Sequence, residues 1–497
     1  MQNQTSSLLM EQDRFFIDGQ WVVGLGHEDF SMIDPSTERR VGRVRAGTTA
    51  DVDRAVAAAR RAFDEGPWPR WSHGERAAVL SAVAAGLREH SAEMAELLTA
   101  EMGSPISQSR GAQIPIAADL LDYYAGLAGE HDWVERRPTH DAANDGFEIE
   151  VRSEPVGVVA AIVPWNGPQI LAAMKLGPAL LSGCTVVLKP SPEAVMNLVR
   201  FAQVFEEAGL PEGVLNIVPA GREVGEHLVT HDGVDKVSFT GSTEAGRRVG
   251  ELCGRRLKRC SLELGGKSAA ILLDDVDLPA AMAGLAAPMM FISGQACNAP
   301  TRILAPRSRY AEVVDAVVST VDGAAFGDPH DPDTFVGPLA ASRQRDRVEA
   351  LVASGIAQGA RAVLGGRGRP AGFDRGWYVD KTVFADVDNG MQVAREEIFG
   401  PVYVVIAYDD VDDAVRIAND SPYGLAGSVW TEDLGRGHEV ATRIRAGGLG
   451  INGHGLDSAA PIGGFKASGI GRERGLEGIH GFVETASIIL PVGTPRR

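Results

Sequence analysis

Between residues 156 and 275, short apolar segments alternate with segments of helical periodicity, and this alternation restricts the fold more than any other feature. VGVVAAIVP, CTVVLKPS and VDKVSFTG are typical buried strands, and each is followed by a helix-like run such as QILAAMKLGPALLSG. Strands joined by helical crossovers form a parallel sheet with helices on both faces. Ligands bind at the carboxyl ends of such strands, where this chain has PWNGP, LKPSPE and FTGSTEAG. The sequence therefore predicts an α/β fold with a binding site at that edge.

The rest of the chain divides into three further regions. The first 130 residues have a largely helical pattern, and a second α/β region with strands such as TRILAP and VYVVIAY extends from about residue 270 to 465. FEIEVRSEP alternates apolar and charged residues like an exposed strand, and ETASIILPV, within the last 30 residues, is a possible further strand. Because exposed strand edges pair readily, these two segments could pair across subunits. They favour a homo-oligomer and leave its size open.

Composition excludes several classes of protein. With 497 residues, 44% hydrophobic and 23% charged, the chain is an ordinary globular protein of two or three domains. A net charge of −18 argues against nucleic-acid or anionic-membrane partners. The N-terminus lacks a signal-peptide pattern, and no apolar run is long enough to span a membrane. Four scattered cysteines fit a reduced cytoplasm and neither a disulfide framework nor a metal site.

The literal nucleotide-binding pattern is misleading. Gly448, Gly450 and Gly453 spell GxGxxG, but the residues that follow do not form an amphipathic helix. FTGSTEAG is a better phosphate site, because a buried strand reaches a turn at Gly241 and a helix begins with Ser242 as its cap. Lys189, at the end of another strand, could donate to ribose hydroxyls or to a phosphate.

Two residues raise the question of catalysis. Cys297, in SGQACNAP, is either a buried thiol or a nucleophile, since most lone cysteines are core residues. Glu263 lies between Leu262 and Leu264, where a buried charge is expensive in a purely structural strand. A buried carboxylate with a raised pKa can act as a general base near neutral pH.

Seven stretches together make the chain similar to a known family. PWNGP, LKPSPE, FTGSTEAG, LELGGKS, GQAC, EEIFGPV and PIGGFKASGIGRE occur in order over nearly the whole chain. On these motifs it resembles the NAD(P)-dependent aldehyde dehydrogenase superfamily. The resemblance implies a Rossmann-type cofactor domain (1–133 and 154–265), an α/β catalytic domain (266–465) and a small bridging or oligomerisation hairpin (134–153 and 466–497). It also implies a homodimer or homotetramer.

The resemblance implies roles for individual residues. Cys297 would attack the aldehyde, Glu263 would activate water, Asn166 would donate to the oxyanion, and Lys175 would lie near a proton relay. NAD would be held by residues from several of the motifs: Ile162, Pro164, Trp165, Lys189, Ser191, Glu193, Gly221, Gly225, Phe239, Gly241, Ser242, Glu263, Leu264, Gly265, Glu397 and Phe399.

The chain departs from the family pattern at two places. Many NAD-preferring members have a glutamate where this chain has Pro192, so NAD is expected and NADP stays possible. Gly167 and Met174 replace bulky rings that are common in the substrate tunnel, which predicts a wider pocket for longer, apolar or aromatic aldehydes. The expected lining of this pocket is Gly167, Met174, Phe291, Asn298, Leu456 and Phe465.

Three other functions are considered. A CoA-acylating dehydrogenase uses the same scaffold but usually lacks the general base, so Glu263 disfavours it. A thiol esterase would leave Glu397, Lys189 and the FTGSTEAG turn unexplained. A non-catalytic descendant of the fold would have no reason to keep Cys297, Glu263 and Asn166 together.

Overall fold

The computed structural model describes residues 10–366 and 368–495. Its strands are β1 Met10–Gln12, β2 Arg14–Ile17, β3 Gln20–Val23, β4 Asp29–Ile33, β5 Arg40–Arg45, β6 Val134–Pro138, β7 Phe147–Pro155, β8 Val158–Ile162, β9 Thr185–Lys189, β10 Leu215–Ile217, β11 Lys236–Thr240, β12 Arg259–Glu263, β13 Ser268–Leu272, β14 Pro300–Pro306, β15 Arg361–Leu364, β16 Thr382–Ala385, β17 Val402–Tyr408, β18 Ala426–Trp430, β19 Gly448–Ile451, β20 Gly469–Ile470 and β21 Val483–Pro491. Its α-helices are α1 Thr49–Asp64, α2 His73–Glu89, α3 Ser91–Met102, α4 Ile106–Gln108, α5 Ile114–Gly126, α6 Pro168–Ser182, α7 Met196–Glu207, α8 Arg222–Thr230, α9 Thr243–Arg255, α10 Leu278–Met290, α11 Tyr310–Gly323, α12 Ser342–Ala357, α13 Gln392–Arg395, α14 Val411–Asn419, α15 Leu434–Thr442 and α16 Glu477–His480.

Two large sheets form the centre of the molecule. The first has the order β20-β12-β11-β8-β9-β10-β2-β3, and its five central strands are parallel. The second has the order β15-β16-β17-β14-β13-β18-β19 and is parallel except at β15. The prediction of an α/β fold is confirmed.

Both faces of the first sheet are buried. Along β8, Val158, Ala160 and Ile162 join one apolar cluster, whereas Val159 and Ala161 join another on the opposite face. Helices α1, α8 and α9 contribute to the first cluster, and α2, α5, α6 and α7 to the second. This burial on two sides explains why β8 has a continuous apolar sequence instead of an alternating one.

The N-terminal region differs from its prediction. Helix begins only at Thr49, and residues 10–45 form strands β1 to β5, so the expectation of a largely helical start was wrong for that part. Strands β2 and β3 form a hairpin on the edge of the first sheet. Asp18 and Gly19 have φ values of 58° and 72°, as a two-residue turn of this kind requires. The Asp-Gly pair was the sequence signal for this hairpin.

The two exposed strand segments pair with each other. Strand β21 runs antiparallel to β7 from Val483↔Pro155 to Pro491↔Phe147, and β6 completes a small three-stranded sheet. They are each other's partner within one chain, and pairing across subunits stays a prediction for β21, which lies at the edge of this sheet. Strand β20, in contrast, joins the first large sheet beside β12. The domain boundaries given above stay a prediction.

Two further findings concern sequence patterns. Of the glycines in the literal GxGxxG, Gly448 and Gly450 lie in strand β19 at the edge of the second sheet, and Gly453 lies in the irregular segment that follows. Within the described ranges, no helix is long and apolar enough to cross a membrane.

Candidate active site

A cavity of about 830 Å³ opens at the carboxyl ends of β8, β9, β11 and β12. It is bounded by the loops that follow these strands, by the first turns of α8 and α9, and by segments around Cys297 and Glu397. Most of the predicted cofactor residues line it: Ile162, Pro164, Trp165, Lys189, Ser191, Gly225, Phe239, Gly241, Ser242, Glu263, Leu264, Gly265, Glu397 and Phe399. Cys297 and Asn166 line the same cavity, whereas Glu193, Gly221 and Lys175 lie outside its lining.

Cys297 is carried by a loop with a strained backbone. Ile292 and Ser293, shortly before it, have φ values of 49° and 57°, a left-handed backbone conformation that residues other than glycine rarely adopt. The buried side chain of Gln295 holds this loop. Its Nε2 donates to the Ile292 carbonyl at 3.0 Å, and its Oε1 accepts from the Ala340 amide at 3.0 Å. The position of the thiol is therefore fixed from both sides of the loop.

The Cys297 thiol is protonated in this environment. Burial, together with the nearby carboxyl groups of Glu397 and Glu263 that disfavour a further negative charge, raises its pKa to about 12. Because only a thiolate is an effective nucleophile, Cys297 needs a group that accepts its proton.

Glu263 ends β12 with its side chain in the interior. Only 6% of the residue is exposed, and its Oε1 has no hydrogen-bond partner among the described residues. Burial raises its pKa well above the ordinary value, and the charge of Glu473 raises it further, whereas Lys175 and Arg472 act in the opposite direction. Glu263 is thus a carboxyl group that holds its proton more tightly than an ordinary one, as suits a group that exchanges protons during a reaction.

A buried ion pair lies behind Glu263. The Nζ of Lys175, on α6, donates to Oε1 of Glu473 at 2.6 Å, and the Ser238 hydroxyl donates to the same oxygen at 3.2 Å. The side chains of Lys175 and Glu473 are 0% and 1% exposed. Glu473 was missed as a functional candidate, although it belongs to the quoted motif PIGGFKASGIGRE.

Asn166 contacts the cysteine loop directly. Its Nδ2 donates to the Gln295 carbonyl at 2.8 Å. An amide nitrogen has two hydrogens, so one remains for an oxygen in the cavity.

Glu397 and two rings form another wall of the cavity. The amide of Gly266 donates to Oε1 of Glu397 at 3.0 Å, and burial raises the pKa of Glu397 to about 7. A Cβ on Gly265 would lie 2.6 Å from Oε2 of Glu397, so only glycine allows this close approach. Trp165 and Phe399 meet edge to face with 5.5 Å between ring centroids.

The part of the cavity around the first turn of α9 and Lys189 suits an anion. Ser242 caps α9 by accepting from the Ala245 amide at 3.3 Å, and Ser242 to Ala245 all line the cavity. The Nζ of Lys189 donates to the carbonyls of Pro190 and Ala220 at 3.0 and 2.6 Å, and burial lowers its pKa to about 8. Helix N-termini bind phosphates. The residues present therefore fit a dinucleotide, with phosphates near α9 and a hydroxyl-bearing group near Glu397.

Several arginines around this cavity were not predicted. They are Arg222, Arg247, Arg248, Arg343 and Arg347. Each lies on a helix surface where an arginine is ordinary, so no sequence pattern identifies them. Four of them, Arg222, Arg248, Arg343 and Arg347, are ion-paired with glutamates.

Glu193 and Gly221 are the predicted cofactor residues that do not line the cavity. Glu193 is ion-paired with Arg343 and accepts a hydrogen bond from the Ser191 hydroxyl. Gly221 is the residue before the first turn of α8. Glu193 is thus held by protein groups and partly neutralised.

The six predicted substrate residues lie in different surroundings. Met174 belongs to the apolar cluster against which Cys297 and Phe291 pack, and a Cβ on Gly167 would meet nothing closer than 3.8 Å. The Asn298 carbonyl accepts from Nε2 of His454 at 2.8 Å, a histidine that was not predicted. Leu456 is 46% exposed, and Phe465 lies between the guanidinium groups of Arg445 and Arg472. None of the six lines the 830 Å³ cavity.

Asp53, His227 and His231 form a separate polar cluster between α1 and α8. Their nitrogen and oxygen atoms lie within 4.8 Å of one another, a spacing that a metal ion could bridge. However, Nδ1 of His231 accepts from the Gly233 amide at 3.0 Å, so a neutral ring carries its proton on Nε2, towards Asp53. This arrangement is a hydrogen-bonded cluster and is not set up for a metal.

The fold and the cavity define a thiol-dependent enzyme with a dinucleotide-sized site. The model of the aldehyde dehydrogenase family matches residues 21–488, and the chain belongs to this family. The predicted resemblance is therefore confirmed, and with it the prediction of an NAD(P)-dependent aldehyde dehydrogenase.

Individual relatives are similar over their full length. The geranial dehydrogenase of Castellaniella defragrans is 44% identical, with 97% of this chain and 100% of that protein covered. An aldehyde dehydrogenase of Mycobacterium tuberculosis, solved in complex with NAD⁺, is 47% identical with a TM-score of 0.95, over 98% of this chain and 100% of that one. A Pseudomonas syringae aldehyde dehydrogenase C mutant, solved with NAD⁺ and octanal, is 41% identical with a TM-score of 0.91, over 96% of each chain.

Proposed function

We propose that this chain oxidises medium-sized apolar or aromatic aldehydes to carboxylic acids, with Cys297 as nucleophile and Glu263 as general base. The observation that carries this proposal is the position of both groups. The thiol and the carboxyl group line the same cavity, and the charge of Glu263 acts on the thiol.

The residues would act in two stages. The Cys297 sulfur attacks the aldehyde carbon while its proton passes to the ionised form of Glu263, and Asn166 with the Cys297 amide donates to the resulting oxyanion. Loss of hydride from this carbon leaves a thioester. Glu263 then gives up the thiol proton to solvent and, ionised again, removes a proton from water, whose oxygen attacks the thioester carbon. The C–S bond breaks to release the acid, and the Cys297 sulfur recovers a proton from Glu263. The charges of Lys175 and Glu473 would adjust the proton affinity of Glu263.

The cofactor is the acceptor of the hydride. A bound nicotinamide takes up the hydride with its two electrons. Glu397 and Phe399 would hold its ribose and ring, and the α9 N-terminus its phosphates. We expect NAD to bind, and NADP to be tolerated because Arg343 neutralises Glu193.

Absorbance of the reduced nicotinamide tests the reaction with purified protein, an aldehyde panel and either NAD or NADP. A rise without coenzyme A supports hydrolytic oxidation. A rise that requires coenzyme A would overturn it in favour of the acylating alternative. No rise under either condition would contradict the proposed function itself.

The substrate class can be tested by chain length. Because a Cβ on Gly167 would meet nothing closer than 3.8 Å and Met174 belongs to the apolar cluster against which Cys297 packs, we expect kcat/KM for octanal or benzaldehyde to exceed that for acetaldehyde at least about tenfold. The names of the geranial dehydrogenase and of the octanal complex support this direction. In the matched variant Met174→Trp, the preference should decrease. Comparable values for the long and short aldehydes would contradict the prediction.

The rate should depend on the pKa of Glu263. Since a general base must be ionised, we expect kcat to fall as the pH drops through the raised pKa of this residue, above the ordinary value of 4.5. A pH profile of kcat checks this, with recovery of the full rate at neutral pH as the control for unfolding. A rate that stays constant down to about pH 4.5 would contradict the prediction.

We also propose a cytoplasmic homodimer or homotetramer with the domain division given above. The four cysteines are free thiols, as a reducing compartment favours. Strand β21 is a sheet edge with Ile488 and Ile489 about half exposed, which supports pairing with a second copy.

A further inference from the structure

His454 connects the second large sheet to the segment that carries the reactive thiol. Its Nε2 donates to the carbonyl of Asn298, the residue after Cys297, at 2.8 Å and across 156 positions of sequence. Because a carbonyl oxygen can only accept, the ring must carry its proton on Nε2 to make this bond. The direction of the hydrogen bond is therefore fixed by the chemistry of the two groups.

The other ring nitrogen is enclosed. Nδ1 of His454 is shielded from solvent and has no hydrogen-bond partner among the described residues. Burial lowers the pKa of His454 below its ordinary value, whereas the bond to Asn298 acts in the opposite direction. At neutral pH the ring is therefore neutral, with one donor that is used and one acceptor that is not.

The chain makes a tight turn at Cys297. The Ala299 amide donates to the Ala296 carbonyl at 3.1 Å, so Cys297 and the next residue occupy the two central positions of the turn. Within the described ranges, the only hydrogen bond that a side chain outside the turn makes to the backbone from Cys297 to Ala299 comes from His454. This single contact therefore fixes the peptide group that follows Asn298.

The geometry of the turn affects the thiol. Burial dominates the raised pKa of Cys297, but the amides of Asn298 and of Cys297 itself act in the opposite direction by donating to the sulfur. A turn with a different geometry would direct these amides elsewhere. The contact with His454 therefore bears on how readily the thiolate forms.

His454 is itself held by the second sheet. Two residues before it, Asn452 has a φ of 49° and exchanges two hydrogen bonds with Thr431, directly after β18: its Oδ1 accepts from the Thr431 amide at 2.9 Å, and its Nδ2 donates to the Thr431 carbonyl at 2.8 Å. The turn also packs against the segment before β13, since a Cβ on Gly266 would lie 2.4 Å from the Cys297 carbonyl oxygen. The imidazole thus joins the turn to a firmly held part of the molecule.

We propose that His454 is a positioning residue, which holds the turn at Cys297 through the Asn298 carbonyl and so directs the thiol and the Cys297 amide towards the aldehyde. This inference rests on the proposed aldehyde oxidation and deepens it. In this role the imidazole touches neither substrate nor cofactor. Because the thiol and the amide act on the transition state, loss of the hydrogen bond should lower kcat more than it changes KM.

The test compares His454→Phe with His454→Gln. Phenylalanine keeps a ring and loses the donor, whereas the amide nitrogen of glutamine lies as many bonds from Cα as Nε2 of histidine. We expect kcat for octanal to fall about tenfold in His454→Phe, with KM within about threefold, and to stay within about threefold of the native value in His454→Gln. A loss of the same size in both variants, or none in His454→Phe, would overturn the proposal.

Alkylation of the free enzyme gives a readout that needs no turnover. With iodoacetamide at fixed pH, Cys297 should react at least about fivefold more slowly in His454→Phe than in the native enzyme, because the turn no longer directs its amides at the sulfur. Mass spectrometry of the peptides measures the rates. Cys260, a free and partly buried cysteine on β12, is the internal control and should react at an unchanged rate. Equal rates for Cys297 in both proteins would contradict the proposal.

His231 provides the matched control. Its Nδ1 accepts from the Gly233 amide at 3.0 Å, so it too joins a partly buried ring to a backbone group, but it lies after α8 and outside the lining of the cavity. His231→Phe should lower the melting temperature about as much as His454→Phe, and it should leave kcat and the alkylation of Cys297 unchanged. An equal fall of kcat in the two variants would overturn the specific role of His454.

The outcomes separate this inference from the proposed function. If the native enzyme oxidises no aldehyde, the proposed function fails, and the alkylation rates alone decide whether His454 positions the thiol. If oxidation by His454→Phe is normal, the proposed function stands and the positioning role is overturned.

Discussion

A Cys297→Ala variant is expected to lose at least about 10⁴-fold in kcat/KM for aldehyde oxidation while keeping its fold and its cofactor affinity. In the proposed reaction the thiol forms the covalent bond between enzyme and substrate, and alanine leaves no atom that could replace it. The small size change at a partly exposed side chain should leave the melting temperature almost unchanged. Stopped-flow absorbance of the reduced nicotinamide should show neither a burst nor a steady rate.

Glu263→Gln should slow both stages of the same reaction. Because Glu263 accepts the Cys297 proton in the first stage and a proton from water in the second, we expect at most one reduced nicotinamide per subunit, formed more slowly than in the native enzyme, followed by a steady rate lowered about 10²- to 10⁴-fold. Glutamine keeps the shape of the side chain but cannot take a proton from water. A normal steady rate in this variant would show that another group activates the water.

Cys260 offers a matched control for the thiol. It is a free, partly buried cysteine on β12, and its pKa is lowered by contact with the Cys253 thiol and by the charge of Lys236. If acidity alone determined which thiol reacts, Cys260 would be the nucleophile. We expect Cys260→Ala to retain full activity, and a loss comparable to that of Cys297→Ala would contradict the assignment.

The sequence contained enough information for the parts of the molecule that have a local signature. Strands such as β8 and β11 are continuous apolar runs between turn residues, and their carboxyl ends bear Asn166, Gly241 and Ser242. These positions follow from chain order and from the geometry of parallel sheets. Cys297 and Glu263 were recognised through their motifs and by the cost of a buried carboxylate.

The remaining features depend on contacts between distant segments. Lys175 and Glu473 form their buried ion pair across 298 positions, and no local pattern in the sequence identifies them as partners, since both residue types are ordinarily exposed. The pairing of β7 with β21 has the same character, because alternation identifies an exposed strand but not its partner. The β2–β3 hairpin, in contrast, had a local signal in Asp18-Gly19 that the helical interpretation of the N-terminus ignored.

Lys175→Met is expected to destabilise the protein by about 3–5 kcal/mol, the largest effect on stability that any single side chain of the site should have. The substitution removes the ammonium that lies 2.6 Å from Glu473 and leaves that carboxylate buried, 1% exposed, with only the Ser238 hydroxyl as a donor. Urea unfolding followed by fluorescence, at fixed protein concentration and neutral pH, measures the change.

The double variant Lys175→Met/Glu473→Leu distinguishes the loss of a pair from the loss of packing. Since it removes both charges and keeps apolar volume, it should recover most of the stability that Lys175→Met loses. The exposed pair of Arg361 and Asp386 gives the scale for an unburied contact, and Arg361→Met should cost less than about 1 kcal/mol. A double variant as unstable as the single one would mean that the lysine stem, and not its charge, stabilises α6. Recovery of stability without recovery of activity would instead show that the buried pair is kept for its effect on the proton affinity of Glu263.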